Sequence, residues 1–237
     1  MVFGENPFDN INVLSDIVYM DDNRYGDSAV LRDIIDIAAL AYSRFDRALA
    51  LKLMDYFEIS LKIRFQKLSK GMKTLFSLII ALASRSPLTM LDEPTTGLDA
   101  AHRREFASLL LKDYSDHPRT FIISSHLITE LEGLMEQVVL IDRGRLVFHK
   151  DIGDVQNYAL YLTGHRKILG EIEGRHRVIS RQSMGEMLVL GVVNDFTAEE
   201  LGRLEASGIT VSPMSVQDVC INITASDRGG VLDVISE

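Results

Sequence analysis

Three features of this 237-residue sequence predict an α/β fold built around a mainly parallel sheet. Short apolar strands alternate with longer amphipathic helices over the first 150 residues, as in successive strand–helix–strand units. Two adjacent acids, Asp92 and Glu93, directly follow one of the most apolar strands. After Lys150 the strands become closely spaced, which predicts a second, smaller α+β domain.

Composition excludes several classes of protein. The hydrophobic content of 46% and the charged content of 25% are typical of a globular chain able to bury a sizeable core. The single cysteine, Cys220, argues against a disulfide framework. The net charge of −9, with scattered basic residues, argues against a nucleic-acid partner. No signal peptide or membrane-spanning run is evident, so we expect a soluble chain that would need a separate subunit to cross a membrane.

The first elements follow from the spacing of apolar residues. Strands are predicted over residues 1–3 and 11–20. A helical pattern follows at Leu31, Ile34, Ile35, Ala38 and Tyr42. Ser43 and Asp46 have the spacing of a capping box, which predicts a second helix. Its buried face would consist of Phe45, Leu49, Leu53 and Phe57.

A third helix is predicted to begin near Ser69 and to bury Leu75, Leu78, Ile79 and Leu82. Residues 88–91 read as a buried strand, and Asp99 is placed to cap a helix over residues 100–114. A strand over 120–124, a helix over 127–135 and a hairpin of 138–141 with 146–148 complete the first domain.

The smaller domain is predicted from four strand-like runs and two helices. The strands cover residues 158–163, 177–181, 187–193 and 209–211, and the helices 198–204 and 216–223. This order suggests a ferredoxin-like unit. The sequence thus divides into residues 1–150 and 151–237, with a helical subdomain at about 29–85 in the first part.

The acids after the strand at 88–91 carry the clearest chemistry. An aspartate such as Asp92 can hold a magnesium ion through water, and a glutamate such as Glu93 can orient or deprotonate an attacking water. A turn ending in Gly97-Leu98-Asp99 follows. A phosphate-binding loop would read Gly-x-x-x-x-Gly-Lys-Ser/Thr, but the dipeptide Gly-Lys is absent from the printed sequence.

Together these residues resemble an ABC-type ATPase, and the form of the motif around Ser69 is similar to that of ATPases of bacterial ABC-2-type exporters. Leu88 to Asp99 resembles the Walker B strand, catalytic glutamate and D-loop of that family. Leu68-Ser69-Lys70-Gly71-Met72 resembles its signature motif, with Lys70 and Met72 departing from the commonest form. Ser124-Ser125-His126 resembles its switch-histidine segment. The family's order of motifs is preserved.

The resemblance implies a P-loop NTPase-like core that lacks the first strands and the Walker A loop, with ATP and Mg²⁺ as cofactors. Glu93 and His126 would be catalytic and Asp92 would hold the metal. Ser69, Gly71, Asp99 and Asp22 would contact the nucleotide. Asp22 stands where the family has its Q-loop glutamine, and a surface acid is an equally good interpretation of it.

The implied function is the ATP-binding and ATP-hydrolysing subunit of an ABC transporter, peripheral at the cytoplasmic face of the cell membrane. Its partners would be a membrane-spanning permease and a second ATPase subunit, identical or different. We expect that the sequence is truncated before Met1, so that this chain alone hydrolyses ATP poorly. The alternative is a non-catalytic partner that supplies only Ser69 and Gly71 to another subunit's P-loop. The negative charge argues against an ATPase of DNA repair or translation.

Overall fold

A computed structural model describes residues 1–21, 25–26 and 28–226, apart from the side chain of Ser226. The chain forms two compact units, Met1–His126 and Leu127–Glu237. Within the described ranges, no helix is long and apolar enough to cross a membrane.

The N-terminal segment is a tight turn rather than the predicted strand over residues 1–3. Val2 and Glu5 exchange backbone hydrogen bonds of 2.8 and 3.0 Å, and Phe3 and Gly4 between them both have positive φ angles. The predicted strand over 11–20 is also wrong in its first half. Asn10 caps a short helix, α1 (Ile11–Leu14), and the strand β1 is confined to Ile17–Met20. The cap redirects the chain because its side chain accepts hydrogen bonds from the Asn12 and Val13 amides.

Three helices follow in the predicted order: α2 (Leu31–Ala41), α3 (Arg47–Tyr56) and α4 (Lys70–Ala83), with a 3₁₀ turn at Phe65–Lys67 before the last. The predicted capping box at Ser43 is wrong. Asp46 is the cap, because its Oδ1 accepts a 2.9 Å hydrogen bond from the Leu49 amide. With this start the buried residues of α3 are Ala50, Leu53 and Met54. The predicted face is correct only at Leu53.

A three-stranded parallel sheet forms the rest of the first unit. Strand β2 (Leu88–Asp92) lies between β1 and β3 (Thr120–Ser124), and helix α5 (Ala100–Asp116) connects β2 to β3. Helix α4 is the most buried helix, with ten buried residues between Thr74 and Ala83. The parallel sheet is confirmed for these strands. The register aligns Asp92 with Ser124, so the polar ends of β2 and β3 coincide.

A buried ionic network ties the helices of this unit to its sheet. The Asp113 carboxylate on α5 accepts hydrogen bonds from Arg85 and, at 2.6 Å, from Arg119. Arg85 also reaches Asp46 at 3.3 Å, so the cap of α3 belongs to the same network. Burial lowers the pKa of Arg119, while the charge of Asp113 acts in the opposite direction.

The second unit begins with irregular structure. The predicted helix over 127–135 is a short helix α6 (Ile128–Leu131) followed by a 3₁₀ turn (Glu132–Leu134). The predicted hairpin is confirmed as β4 (Gln137–Asp142) and β5 (Arg145–Asp151), joined by Arg143 and Gly144 in left-handed conformations. It forms its own two-stranded sheet and leads to α7 (Ile152–Gln156).

A four-stranded antiparallel sheet completes the second unit. Its strands are β6 (Ala159–His165), β7 (Val178–Met184), β8 (Met187–Val193) and β9 (Thr210–Pro213). Helix α8 (Arg166–Glu173) connects β6 to β7, helix α9 (Ala198–Ala206) connects β8 to β9, and α10 (Val216–Ser226) follows the last strand. The strand order β7-β8-β6-β9 and the βαββαβ succession are those of a ferredoxin-like unit. The sequence pattern does not predict helix α8.

The border between the units lies earlier than the predicted boundary after Lys150. The hairpin residue Val138 shares a buried cluster with Val155 of α7 and Val219 of α10. Because the hairpin buries its apolar face against these elements, it belongs to the second compact unit. A change of strand spacing in the sequence does not reveal which neighbour a hairpin packs against.

Candidate functional site

Asp92 is held at the carboxyl end of β2 by the two flanking strands. Its Oδ1 accepts a hydrogen bond from Ser124 Oγ on β3, and its Oδ2 accepts one of 3.2 Å from the Tyr19 hydroxyl on β1. Partial desolvation and the negative charge of Asp92 raise the pKa of Tyr19, so this phenol remains a hydrogen-bond donor at neutral pH. The carboxylate therefore has a fixed orientation at the edge where open α/β sheets bind ligands.

Glu93 begins the loop after β2 in a conformation that side chains rarely adopt. Its φ angle is +46°, and its amide donates hydrogen bonds to Ser124, at 3.0 Å to the carbonyl and 3.3 Å to Oγ. A non-glycine residue in this region carries backbone strain of about 1–3 kcal/mol, which the contacts with β3 must offset.

The Glu93 carboxylate faces His126, which follows β3 closely in the chain. The Nδ1 atom of His126 lies 2.8 Å from both Oε1 and Oε2 of Glu93. Both side chains reach solvent, with exposed fractions of 68% for His126 and 36% for Glu93. The pair is thus a carboxylate oriented by an imidazole at an open surface, an arrangement suited to positioning a water molecule.

The loop from Glu93 to Asp99 makes two successive turns before α5. The Thr96 amide donates to the Glu93 carbonyl at 3.0 Å, and the Leu98 amide donates to the Thr95 carbonyl at 3.2 Å. Asp99 then caps α5 as predicted, accepting hydrogen bonds from the amides of Ala101 and His102. The His102 amide and ring, followed by the Ala101 amide, lower the pKa of Asp99.

The signature-like segment packs directly on this loop. Ser69 caps α4, and its Oγ accepts a 3.3 Å hydrogen bond from the Met72 amide. A β-carbon on Gly71 would lie 2.7 Å from the Gly97 carbonyl oxygen, so the two backbones touch. One turn later the Thr74 hydroxyl donates to the Thr96 carbonyl at 3.0 Å. Sequence reasoning missed Thr74, because a buried helical threonine carries no distinctive pattern.

The structure therefore gathers the predicted site residues into two adjoining groups. Asp92, Glu93 and His126 lie together at the ends of β2 and β3. Ser69, Gly71 and Asp99 belong to the contact between α4, the loop and α5. Asp22 falls outside the described residues.

The oxygen donors around Asp92 suit a magnesium ion better than a metal ion whose ligands all come from the protein. The described part of the chain contains no group of three or more His, Cys, Asp or Glu that could hold an ion. Mg²⁺ is usually bound by one or two carboxylates together with water and substrate phosphates. A single oriented carboxylate beside a serine hydroxyl matches that mode.

Comparison with known proteins identifies the class of fold first. A solved structure described as the ATP-binding subunit of an ABC transporter superposes with a TM-score of 0.57, at 21% identity over 65% of this chain and 66% of that one. A sequence model of the family described as "AAA domain, putative AbiEii toxin, Type IV TA system" matches residues 16–132. The fold of this chain is therefore similar to that of the ATP-binding subunit of an ABC transporter.

Comparison of sequences shows more specifically which proteins this chain is related to. The ABC transporter ATP-binding protein YtrB of Bacillus subtilis is 28% identical over 61% of this chain and 50% of its own length. An uncharacterized ABC transporter ATP-binding protein of Methanocaldococcus jannaschii is 26% identical over 58% of this chain and 56% of its length. The match thus spans about half of each relative. This chain is homologous to the ATP-binding proteins of ABC transporters.

Proposed function

We propose that this chain hydrolyses ATP as part of an ABC transporter, with the reaction taking place above the ends of β2 and β3. The observation that carries the proposal is the contact of 2.8 Å between His126 and both carboxylate oxygens of Glu93, beside the oriented Asp92. The homology to transporter ATP-binding proteins supports the same conclusion.

Glu93 orients the attacking water and accepts its proton as the water oxygen bonds to the γ-phosphorus. The bond between that phosphorus and the β,γ-bridging oxygen breaks at the same time, and ADP is the leaving group. His126 fixes the rotamer of Glu93 through its contact with both carboxylate oxygens. Asp92 would hold Mg²⁺ through water. When bound, that ion neutralises charge on the β- and γ-phosphates.

The phosphate cradle must come from residues other than those printed, since they contain no Gly-Lys pair. It can belong to the same polypeptide or to another subunit. In either case we assign Ser69 and Gly71 to the nucleotide of a second ATPase subunit, because the start of α4 offers free amides and a positive helix end. Asp99 and Asp22 remain predicted nucleotide contacts.

The partner subunit would be a permease that spans the membrane, and the chain would act at its cytoplasmic side. The intact Glu93–His126 pair gives no support to a purely non-catalytic role.

The test is magnesium-dependent ATP hydrolysis by the transporter purified with this subunit in place. We expect Glu93→Gln to reduce the rate by about 10²–10⁴-fold, the usual contribution of a general base, without loss of ATP binding. Glu205→Gln, in an exposed acid on α9, is the matched control and should leave the rate unchanged. Wild-type rates from Glu93→Gln would refute the proposal.

The source of the phosphate cradle can be tested separately by sequencing the DNA upstream of the Met1 codon. An in-frame Gly-x-x-x-x-Gly-Lys-Ser/Thr segment would place it in the same polypeptide. A stop codon preceded by a ribosome-binding site would require another subunit to supply it. The purified 237-residue chain alone is expected to show little ATPase activity in both cases.

A further inference from the structure

Ser124, the last residue of β3, contacts both acids of the candidate site. In the register of the parallel sheet it lies directly opposite Asp92. Its hydroxyl donates a hydrogen bond to Oδ1 of Asp92 and accepts one of 3.3 Å from the Glu93 amide. Its carbonyl accepts a second hydrogen bond, of 3.0 Å, from the same amide. One serine thus connects the residue assigned to the metal with the residue assigned to the attacking water.

The strand register brings the donors to Asp92 onto one face of the sheet. Tyr19 on β1 is paired with Met90, two residues before Asp92 on β2. Because residues two apart in a strand share a face, Tyr19, Asp92 and Ser124 form a row across the three strands. Tyr19 donates to Oδ2 of Asp92 at 3.2 Å, while Ser124 donates to Oδ1. Each oxygen of the Asp92 carboxylate therefore has its own protein donor, and together the two donors fix its orientation.

The Ser124 hydroxyl is not needed to satisfy the backbone or to shield a buried charge. The Glu93 amide already donates to the Ser124 carbonyl. Asp92 and Ser124 are both exposed, so water could solvate the carboxylate if the hydroxyl were removed. The hydroxyl should therefore contribute little to the free energy of unfolding. Its contribution is to orient charged groups, which becomes more important when a bound nucleotide excludes water from the site.

The end of β3 also holds Glu93 at two points. The hydrogen bonds from its amide to Ser124 maintain the unusual φ angle of +46°. His126, two residues after Ser124, lies 2.8 Å from both carboxylate oxygens of Glu93. The same short segment therefore fixes the backbone and the side chain of Glu93 and one oxygen of Asp92. A change at Ser124 should alter the position of one acid relative to the other.

We propose that Ser124 is a positioning residue that fixes Asp92 relative to Glu93, with Tyr19 as the second donor that orients Asp92. The roles of the two acids rest on the proposed function, whereas the link between them follows from the hydrogen bonds of Ser124. A metal ion and an attacking water must act on the same phosphate, so the relative placement of the two carboxylates limits the rate. Tyr19 contacts Asp92, so its loss should affect metal binding more than the orientation of the water.

The experiment measures Mn²⁺ binding to the assembled transporter by electron paramagnetic resonance, with a non-hydrolysable ATP analogue present. The maximal rate of ATP hydrolysis at saturating Mg²⁺ is measured separately. We expect Ser124→Ala to weaken Mn²⁺ binding about tenfold and to lower the maximal rate about tenfold, the usual effect of losing one hydrogen bond to a charged group. Ser124→Thr keeps the hydroxyl and should restore both quantities. Tyr19→Phe should weaken Mn²⁺ binding to a similar extent but lower the maximal rate less than Ser124→Ala does.

Thr120→Val is the matched control, because it removes a hydroxyl from the opposite end of β3, where the side chain is also exposed. It should change neither quantity. Thermal unfolding distinguishes positioning from a loss of folded protein, and Ser124→Ala should unfold at the same temperature as the wild type. Normal Mn²⁺ binding and a normal rate in Ser124→Ala would overturn the proposal. A defect in Ser124→Thr equal to that in Ser124→Ala would also overturn it.

Glu93→Gln separates this inference from the proposed function. Loss of hydrolysis in Glu93→Gln, together with normal behaviour of Ser124→Ala, would refute the positioning role alone. Wild-type hydrolysis by Glu93→Gln, together with weakened Mn²⁺ binding by Ser124→Ala, would refute the proposed function and support the contact of Ser124 with Asp92. Absence of nucleotide-dependent Mn²⁺ binding in the wild type would contradict both.

Discussion

Gly71 at the start of α4 and Gly97 in the loop before α5 approach so closely that a β-carbon on Gly71 would lie 2.7 Å from the Gly97 carbonyl oxygen. The φ angle of Gly97 is +81°, a conformation that other residues rarely adopt. Thr74 reinforces the contact through its hydrogen bond to Thr96. Movement of the loop that begins at Glu93 is therefore coupled to the start of α4.

Replacing Gly71 by alanine should disturb this contact. We expect Gly71→Ala to lower the free energy of unfolding by about 1–3 kcal/mol, the usual cost of overpacking, because the blocking atom is backbone. Gly170→Ala on α8 is the control, since a β-carbon there meets nothing within 4 Å. It should be neutral or stabilising by up to about 1 kcal/mol. Urea unfolding measures both variants, and equal effects would contradict the close approach.

Glu93 and His126 should act as one unit in catalysis. We expect His126→Ala to slow ATP hydrolysis about 100-fold, because the carboxylate loses its orientation. The double variant Glu93→Gln/His126→Ala should be no slower than Glu93→Gln alone, since the histidine acts through the glutamate. Single-turnover rates of the assembled transporter test this expectation. Additive losses would mean that His126 has an independent role.

The buried carboxylate of Asp113 should dominate the stability of the first unit. Its exposed fraction is only 5%, and it faces two arginines. We expect Asp113→Asn to lower the free energy of unfolding by about 3–5 kcal/mol, because it leaves buried positive charge uncompensated. Asp116→Asn, which removes an exposed pair with Lys112, should have no measurable effect. Similar denaturation midpoints for the two variants would contradict this ranking.

The free energy of unfolding should decrease at acidic pH, and protonation of Asp46 should account for part of that decrease. The Leu49 amide, and then Arg85, lower the pKa of Asp46 in the folded state, although burial acts in the opposite direction. A carboxyl whose folded pKa is depressed stabilises the protein above its unfolded pKa of about 3.9, and this contribution is lost as the pH falls through the folded pKa. The stability advantage of the wild type over Asp46→Asn should therefore shrink from pH 6 towards about pH 3. An advantage that stayed constant with pH would contradict the assignment.

The sequence predicted those parts of the fold that depend on local patterns. Helix α4 and strand β2 follow from runs of apolar residues, and Asp99 caps α5 because its side chain bonds to nearby amides. Asp92, Glu93 and His126 could be selected as site residues because they follow strand ends in a recognisable order. These features depend on neighbours within a few positions in the chain.

The incorrect predictions of element boundaries lie where two local sequence signals compete. The capping-box spacing places the start of this helix at Ser43, with Asp46 three residues further on. The structure makes Asp46 itself the cap, and its side chain is also held by Arg85 just beyond the end of α4. Asn10 likewise ends the predicted strand over 11–20 by starting a helical turn. Composition alone could not rank these alternatives.

By itself, the sequence determined the order of the elements, the acids at the end of β2 and the relationship to ABC-type ATPases. Only the tertiary structure decided that His126 meets both oxygens of Glu93, that Thr74 and Gly71 hold the loop, and that the hairpin joins the second unit. The physical reason is that the sequence patterns of helices and strands depend on residues that are close together in the chain. Contacts between distant residues depend instead on strand register and on which faces pack, and a single sequence does not encode these in any local pattern.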